Sequence, residues 1–271
     1  MIALSPRTAP AAGPWAAWFP TGRPGLGSLT EHLRTTGCGR WWADRPTAAR
    51  AGAVECAGHV LLGGDPQAVD PAGLAPLAHR YFAAPDRFLP VLGAAFERIT
   101  PWERMIWTHP GAPAPARRPG RGMTIRRLTA ADAAAVAALG PDFRRLGGSW
   151  GGAAAPAGSG SAHGAFRRGR LLSLAVTHFL GERYADIAVA TVPAHRGHGL
   201  ALACVTELCM DLNTMGRAVS WTCSRDNHPS RRLAAAAGFQ PALRYVHHAA
   251  GAPRIRPAAP APAHGYATRC P

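Results

Sequence analysis

The chain has 271 residues, 47% hydrophobic and 17% charged, which suffices for one large or two small domains with a real core and excludes both wholesale disorder and a disulfide-stapled miniprotein. Its net charge of +15 is carried entirely by Arg, in pairs such as Arg117-Arg118, Arg144-Arg145 and Arg231-Arg232 scattered along an Ala-rich sequence. Scattering without interleaved aromatics argues against nucleic acid as the main ligand, while the positive field still favours a ligand with several phosphates.

Pro6, Pro10 and Pro14 interrupt the first twenty residues, and no run of about 18 apolar residues occurs anywhere, so neither a signal peptide nor a membrane span is expected and a cytoplasmic location is inferred. The segments 71–83 and 85–98 carry apolar residues at helical spacing, each opening with a Pro suited to a first turn. Trp102 to Trp107 reads as a short strand. Residues 1–110 are therefore expected as an accessory domain, either mostly helical or a degenerate second copy of the C-terminal domain. The Pro/Gly/Arg-rich stretch 111–122 reads as a linker.

Downstream the pattern sharpens. Met123 to Leu128 alternates like a strand, and Thr129 is a plausible N-cap for a helix through Leu139. Residues 140–161 are Gly-rich and read as a mobile loop with one helical turn. AHGAF, RRGR and LLSLAVTHFL then give strand, tight turn and strand, and Glu182-Arg183 turn into a third strand, Tyr184 to Val192. The turn Arg196-Gly197-His198-Gly199-Leu200-Ala201 opens an amphipathic helix to about Gly216. Two glycines between strand and helix allow close backbone approach, and the bare amides and positive helix end favour phosphate. A strand from Ala218 to Cys223 leads through Asn227 into a helix ending at Gly238-Phe239, and residues 249–271 form a Pro/Ala-rich tail.

Together, Arg196 to Ala201 and the subsequent strand, Asn227 and Gly-Phe resemble the GNAT superfamily of N-acetyltransferases over residues 123–248. The resemblance implies an α+β, three-layer fold: a mixed, splayed β-sheet flanked by helices, holding acetyl-CoA where the strands part. It implies that Ala190, Thr191 and Val192 hold the pantetheine arm, that Arg196, Gly197, His198, Gly199, Leu200 and Ala201 cradle the diphosphate, and that Asn227 bonds the arm. The amine is then expected to attack the thioester directly. Asp186 is the first candidate for general base, the alternative being a surface carboxylate beside Arg183; His178, Glu182 and Tyr184 are further candidates. Many relatives carry a Tyr acid seven residues beyond the Asn, where this chain has Ala234, and water, Ser230 or Cys223 could substitute. Trp150 and Tyr184 are candidates for contact with an amine acceptor on a small molecule or peptide, a natural product being one class.

The six cysteines and twelve His form no metal-ligand spacing, so no metal is expected. A monomer or homodimer fits. Two other readings stay open: a cofactor-holding protein without activity, and a basic nucleic-acid module.

Overall fold

The computed structural model describes residues 1–4, 14–111, 120 and 122–254. The N-terminal half contributes β1 (Ile2–Leu4), β2 (Arg40–Ala43), β3 (Ala51–Cys56), β4 (His59–Gly64), β5 (Tyr81–Ala83) and β6 (Ile99–Thr108). The C-terminal half contributes β7 (Met123–Arg127), β8 (Ala162–Arg167), β9 (Arg170–Leu180), β10 (Tyr184–Thr191), β11 (Ala218–Ser224) and β12 (Gln240–Ala250). All twelve join in one sheet, ordered β1-β2-β3-β4-β5-β12-β6-β11-β10-β9-β8-β7. Read from either end, the order is the same: five strands of one half, then the last strand of the other. The parallel pairs occupy equivalent places, β4 with β5 and β10 with β11, and every other pairing is antiparallel.

β6 is the joint. It pairs with β11 through Ile106 opposite Thr222 and with β12 through Ile106 opposite Leu243. Met105 and Trp107 on one face enter the core beneath α6 (Leu200–Thr214) and α7 (His228–Ala236), together with Ile187, Trp221, Leu208 and Phe239. The opposite face is concave. Phe179 of β9 packs with Trp41, Val54 and Cys56 of the N-terminal half, and the rings of His59 on β4 and His178 on β9 lie 6.1 Å apart although five strands separate them. Only a strongly curled sheet brings them together, as accumulated strand twist allows. Helix α2 (Leu29–Thr36) closes this concavity by burying Leu29 and Leu33, and Gly37 with φ 72° ends it in a left-handed cap. α1 (Pro14–Trp18) lies beside it, while α4 (Ala133–Ala137) and α5 (Pro141–Gly147) cover β8 and β9 around Leu128, Phe143 and Leu174.

The mostly helical alternative for residues 1–110 does not hold. Pro71–Leu77 is a 3-10 helix containing Pro76, Tyr81–Ala83 is a strand, and α3 (Leu89–Ala95) has only seven residues, because prolines remove the donors a longer helix needs. The short strand expected at Trp102 extends over ten residues. The helix expected through Leu139 is a 3-10 turn, Ala130–Asp132, that leads into α4; the Thr129 amide donates to Asp132 Oδ2 at 2.9 Å in a capping box. Within 140–161, α5 and two 3-10 turns replace the expected loop. In the expected linker, residues 112–119 and 121 lie outside the described residues, as do 255–271 of the expected tail, into which β12 runs as far as Ala250.

Removing residues 1–110 takes β6 from between β11 and β12 and leaves both with open edges. The fragment 111–271 is expected to lack a cooperative melting transition and to elute as aggregate in size-exclusion chromatography; a soluble, cooperatively melting fragment would show that β6 is dispensable.

Candidate active site

β10 and β11 pair only from Tyr184 opposite Ala218 to Ile187 opposite Trp221, after which β10 continues to Thr191 against β9 alone. A cavity of about 760 Å³ opens where they part, lined by Ala190 and Thr191 of β10, the turn Arg196, Gly197, Gly199, Leu200 and Ala201, and Asn227 and Ser230 of α7. Gly197 (φ 79°) and Gly199 (φ 75°) both occupy the left-handed region, and nothing lies within 4 Å of where a Cβ would project from either. The first helical bond of α6 runs from the Ala203 amide to Gly199 O at 3.0 Å, so the preceding amides have no acceptor within the helix. Arg196 Nε ties the turn to β10 by donating to Thr191 O at 3.2 Å, and Arg232 and His195 add basic side chains to the wall. Bare amides, open space and positive charge at one turn fit a diphosphate.

Val192, expected on the pantetheine arm, and His198, expected in the cradle, do not line the cavity. Val192 packs against the core under α4 and α5, and its amide donates to Leu172 O at 2.8 Å. His198 is exposed and folds back on Arg196 O at 2.8 Å. Asn227 caps α7, its Oδ1 accepting from the Ser230 amide at 3.0 Å, so only its amide NH₂ is left to address the cavity. Thr191 Oγ1 is engaged by Ser173 Oγ at 2.8 Å, which leaves its backbone for pairing.

Asp186 sits one residue before the strands diverge, at a bulge of β10 against β9, on the face away from α6. It is 4% exposed, so the reading of a surface carboxylate does not hold. Oδ1 accepts from Ser220 Oγ at 2.8 Å and Thr222 Oγ1 at 3.0 Å, and Ser220 Oγ in turn accepts the amide of Gly25 at 2.9 Å. Burial outweighs these hydrogen bonds and raises the Asp186 pKa to about 6. Arg183 instead lies over the Tyr184 ring, 5.5 Å from its centroid, and Tyr184 is half-buried at the start of β10.

His178 belongs to the same concave face, and burial pushes its pKa down to about 4. Trp150 is fixed, its Nε1 donating to Thr177 O at 2.6 Å and its ring edge-on to His32 at 5.0 Å. His32 Nε2 donates to Ser149 O at 2.7 Å and its Nδ1 accepts the Leu180 amide at 3.0 Å, so α2 of the N-terminal half is bonded to β9 of the other. On the cavity side, Trp221 Nε1 donates to Ser230 Oγ at 3.0 Å. Ala234 is 0% exposed within the core under α6 and α7. Sequence reasoning missed Arg232 as a cavity wall, and between core and pocket it favoured core for Trp221, which lines the cavity as well. Alternation correctly places Trp221 toward the core, but that face is also the cavity face, and Arg232 carries no local mark.

The equivalent turn after β4 differs in kind. There Asp65 Oδ1 accepts the Gln67 amide at 2.9 Å and Asp70 Oδ1 accepts the Ala72 amide at 3.1 Å, so carboxylates use the donors that the C-terminal turn leaves bare. Among the described residues no group of three or more His, Cys, Asp or Glu is placed to hold a metal ion, and no helix is long and apolar enough to cross a membrane.

Residues 121–247 match the family model for GNAT acetyltransferases. Over 216 residues the chain is 50% identical to an uncharacterised N-acetyltransferase in the mutA 5′ region of Streptomyces virginiae, covering 78% of this chain and 88% of the relative. A GCN5-related N-acetyltransferase-like protein from Streptococcus suis superposes with a TM-score of 0.58 at 15% identity over 79% of this chain and 88% of the other. A tandem GNAT protein from the clavulanic acid biosynthesis pathway does so with a TM-score of 0.55 at 16% identity over 91% of this chain and 96% of the other. A relative identical at half of its aligned positions, a matching family model across the splayed strands and the glycine turn, and two structures of the same fold lead to one conclusion: the chain belongs to the GNAT family of N-acetyltransferases and is an acyltransferase.

Proposed function

We propose that the protein moves an acetyl group from acetyl-CoA to a primary amine of a small molecule or peptide, a natural product being the class in view, by direct attack in a ternary complex. The observation that carries this reading is the position of a buried carboxylate, Asp186, one residue before the strands part beside a bare-amide turn. Acetyl-CoA, when bound, supplies the acetyl group as an activated thioester. The amides around Gly197, Gly199, Leu200 and Ala201, with Arg196, hold the diphosphate; the backbone of Ala190 and Thr191 and the amide of Asn227 hold the arm. Asp186 accepts a proton from the amine. Its pKa of about 6 suits that task better than the ordinary ~3.9. Ser230, whose oxygen accepts from Trp221 Nε1 and whose hydroxyl also bonds the Cys223 sulfur, can offer the departing sulfur a hydrogen bond only by giving up Cys223. Positioning accounts for most of the acceleration, and a base of this kind adds about 10²–10⁴-fold.

Asp186→Asn keeps an oxygen for both hydroxyls and separates chemistry from structure. Thiol release from acetyl-CoA with an amine panel should fall by at least about a hundredfold. The wild-type rate should rise with pH through about 6, and the variant should lack that limb. A limb near 4 would instead point to His178. Stability should move the other way. The folded pKa lies above the unfolded value of ~3.9, so the contribution of Asp186 to stability is greatest below pH ~4 and falls by about 3 kcal/mol as pH rises through 6. The variant lacks this loss, so its unfolding free energy should exceed that of the wild type at pH 7 and the gap should close by pH ~4; equal slopes in denaturant titrations would disprove the raised pKa.

Gly199→Val places a β-branched residue at φ 75° and a side chain in the open cradle. Calorimetry should find the CoA dissociation constant raised at least about tenfold, and the strained torsion should lower the melting midpoint. Unaltered binding would remove the cradle.

A further inference from the structure

The curl of the sheet creates a second polar chamber, which the cofactor turn does not use. His59 of β4, Arg104 of β6, and Tyr245 and His247 of β12 converge on the concave face beside His178. The His59 and His247 rings are 5.2 Å apart, and those of Tyr245 and His247 are 5.0 Å apart. These side chains are deeply placed yet short of partners: His59 Nδ1, Arg104 Nε and both His247 nitrogens have none within the protein, and the Tyr245 hydroxyl meets only Arg104. Leaving so many polar atoms unpaired in one place is costly, and packing alone gives no return for it. Such a cluster is chemically suited to a small polar ligand.

The charges state which kind. Burial keeps His59, His178 and His247 neutral at pH 7, so Arg104 is the permanent cation facing the chamber, and its field reaches Asp186 and Tyr245. Its guanidinium stacks 4.5 Å from the centre of the Trp102 ring, which fixes its plane. Arg104 has no carboxylate partner among the described residues. A planar guanidinium with an unpaired Nε–H is shaped for a carboxylate.

We propose that the acceptor is an amine that also carries a carboxylate, which Arg104 binds while the amine faces Asp186. Arg104, contributed by the N-terminal half, is thus the residue that selects the acceptor. The inference rests on the acetyltransferase reading and deepens it.

The test uses the full chain and measures two quantities separately. CoA binding is first measured by calorimetry. The CoA-loaded chain is then titrated with glycine, L-alanine, β-alanine and γ-aminobutyrate, each against its own carboxamide, and the same pairs are assayed for thiol release from acetyl-CoA. At least one acid is expected to bind at least tenfold more tightly than its amide and to show a correspondingly lower KM. Arg104→Gln should erase that preference, and Arg104→Lys should restore part of it; melting midpoints establish that both variants fold. CoA binding with no acid preferred over its amide overturns the inference alone, and so does a preference that survives Arg104→Gln. Absence of both CoA binding and thiol release overturns the acetyltransferase reading and the inference with it. The acid-against-amide comparison in the wild type decides the question even if neither variant folds.

Discussion

The exchange of one strand between the halves is the constraint that shapes everything else in the molecule. β6 fills the place beside β11 and β12 the place beside β5, so neither half has a complete sheet of its own. β10 and β11 can separate beyond Ile187 because each keeps its backbone bonded on the far side, β10 to β9 and β11 to β6. An unpaired strand pair in a small sheet would leave buried amides without acceptors. Here the gap is bounded by ladders that the exchange itself supplies, and the same twelve-strand continuity lets twist accumulate until β4 and β9 face each other.

Symmetry of topology does not extend to chemistry. Both halves have a parallel strand pair and a turn after its first strand, but one turn presents left-handed glycines with open space around them and the other presents Asp65-Pro66 and Asp70-Pro71. In the second, side-chain oxygens already hold the amides, and their charge would repel phosphate. The N-terminal half acts instead as a wall. Its Gly25 amide steadies Ser220 beneath Asp186, its α2 is bonded to β9 through His32, and Arg104 projects onto the concave face.

What could be read in the sequence depends on the range of the interactions involved. The strand-turn-helix around Arg196 to Ala201 and the cap at Asn227 are local: glycine torsions and an Asx cap write themselves into a few adjacent residues. The burial of Asp186 is not local, since it depends on Gly25, 161 positions earlier, and on Ser220 and Thr222 of the next parallel strand. β6 escaped notice as a central strand because Pro101, Glu103 and Arg104 interrupt its apolar pattern. Pro101 lies beyond the β11 ladder, where β6 is paired on one side only, Glu103 pairs with Arg225, and Arg104 faces the chamber, so each breach of the pattern has a separate long-range reason. The helices expected at 71–83 and 85–98 failed for the opposite cause: spacing suggested them, but Pro76 prevented one and the other yielded only the seven residues of α3.

Ala234 shows how the two sides of the sheet divide the work. It is fully buried against Trp221 and Phe239 in the core beneath α6 and α7, one turn beyond Ser230 on the same helix. A Tyr there would have to displace that core or turn outward into the cavity, and the indole of Trp221 already occupies the wall and bonds Ser230. With the α7 face committed to packing and to a serine, the only strongly shifted carboxylate beside the divergence is on the opposite face, held by two hydroxyls and in range of the Arg104 charge. On the proposed reading, proton removal and acceptor recognition belong to the concave side, which both halves build, while cofactor retention belongs to the side beneath α6 and α7, whose glycine turn comes from the C-terminal half.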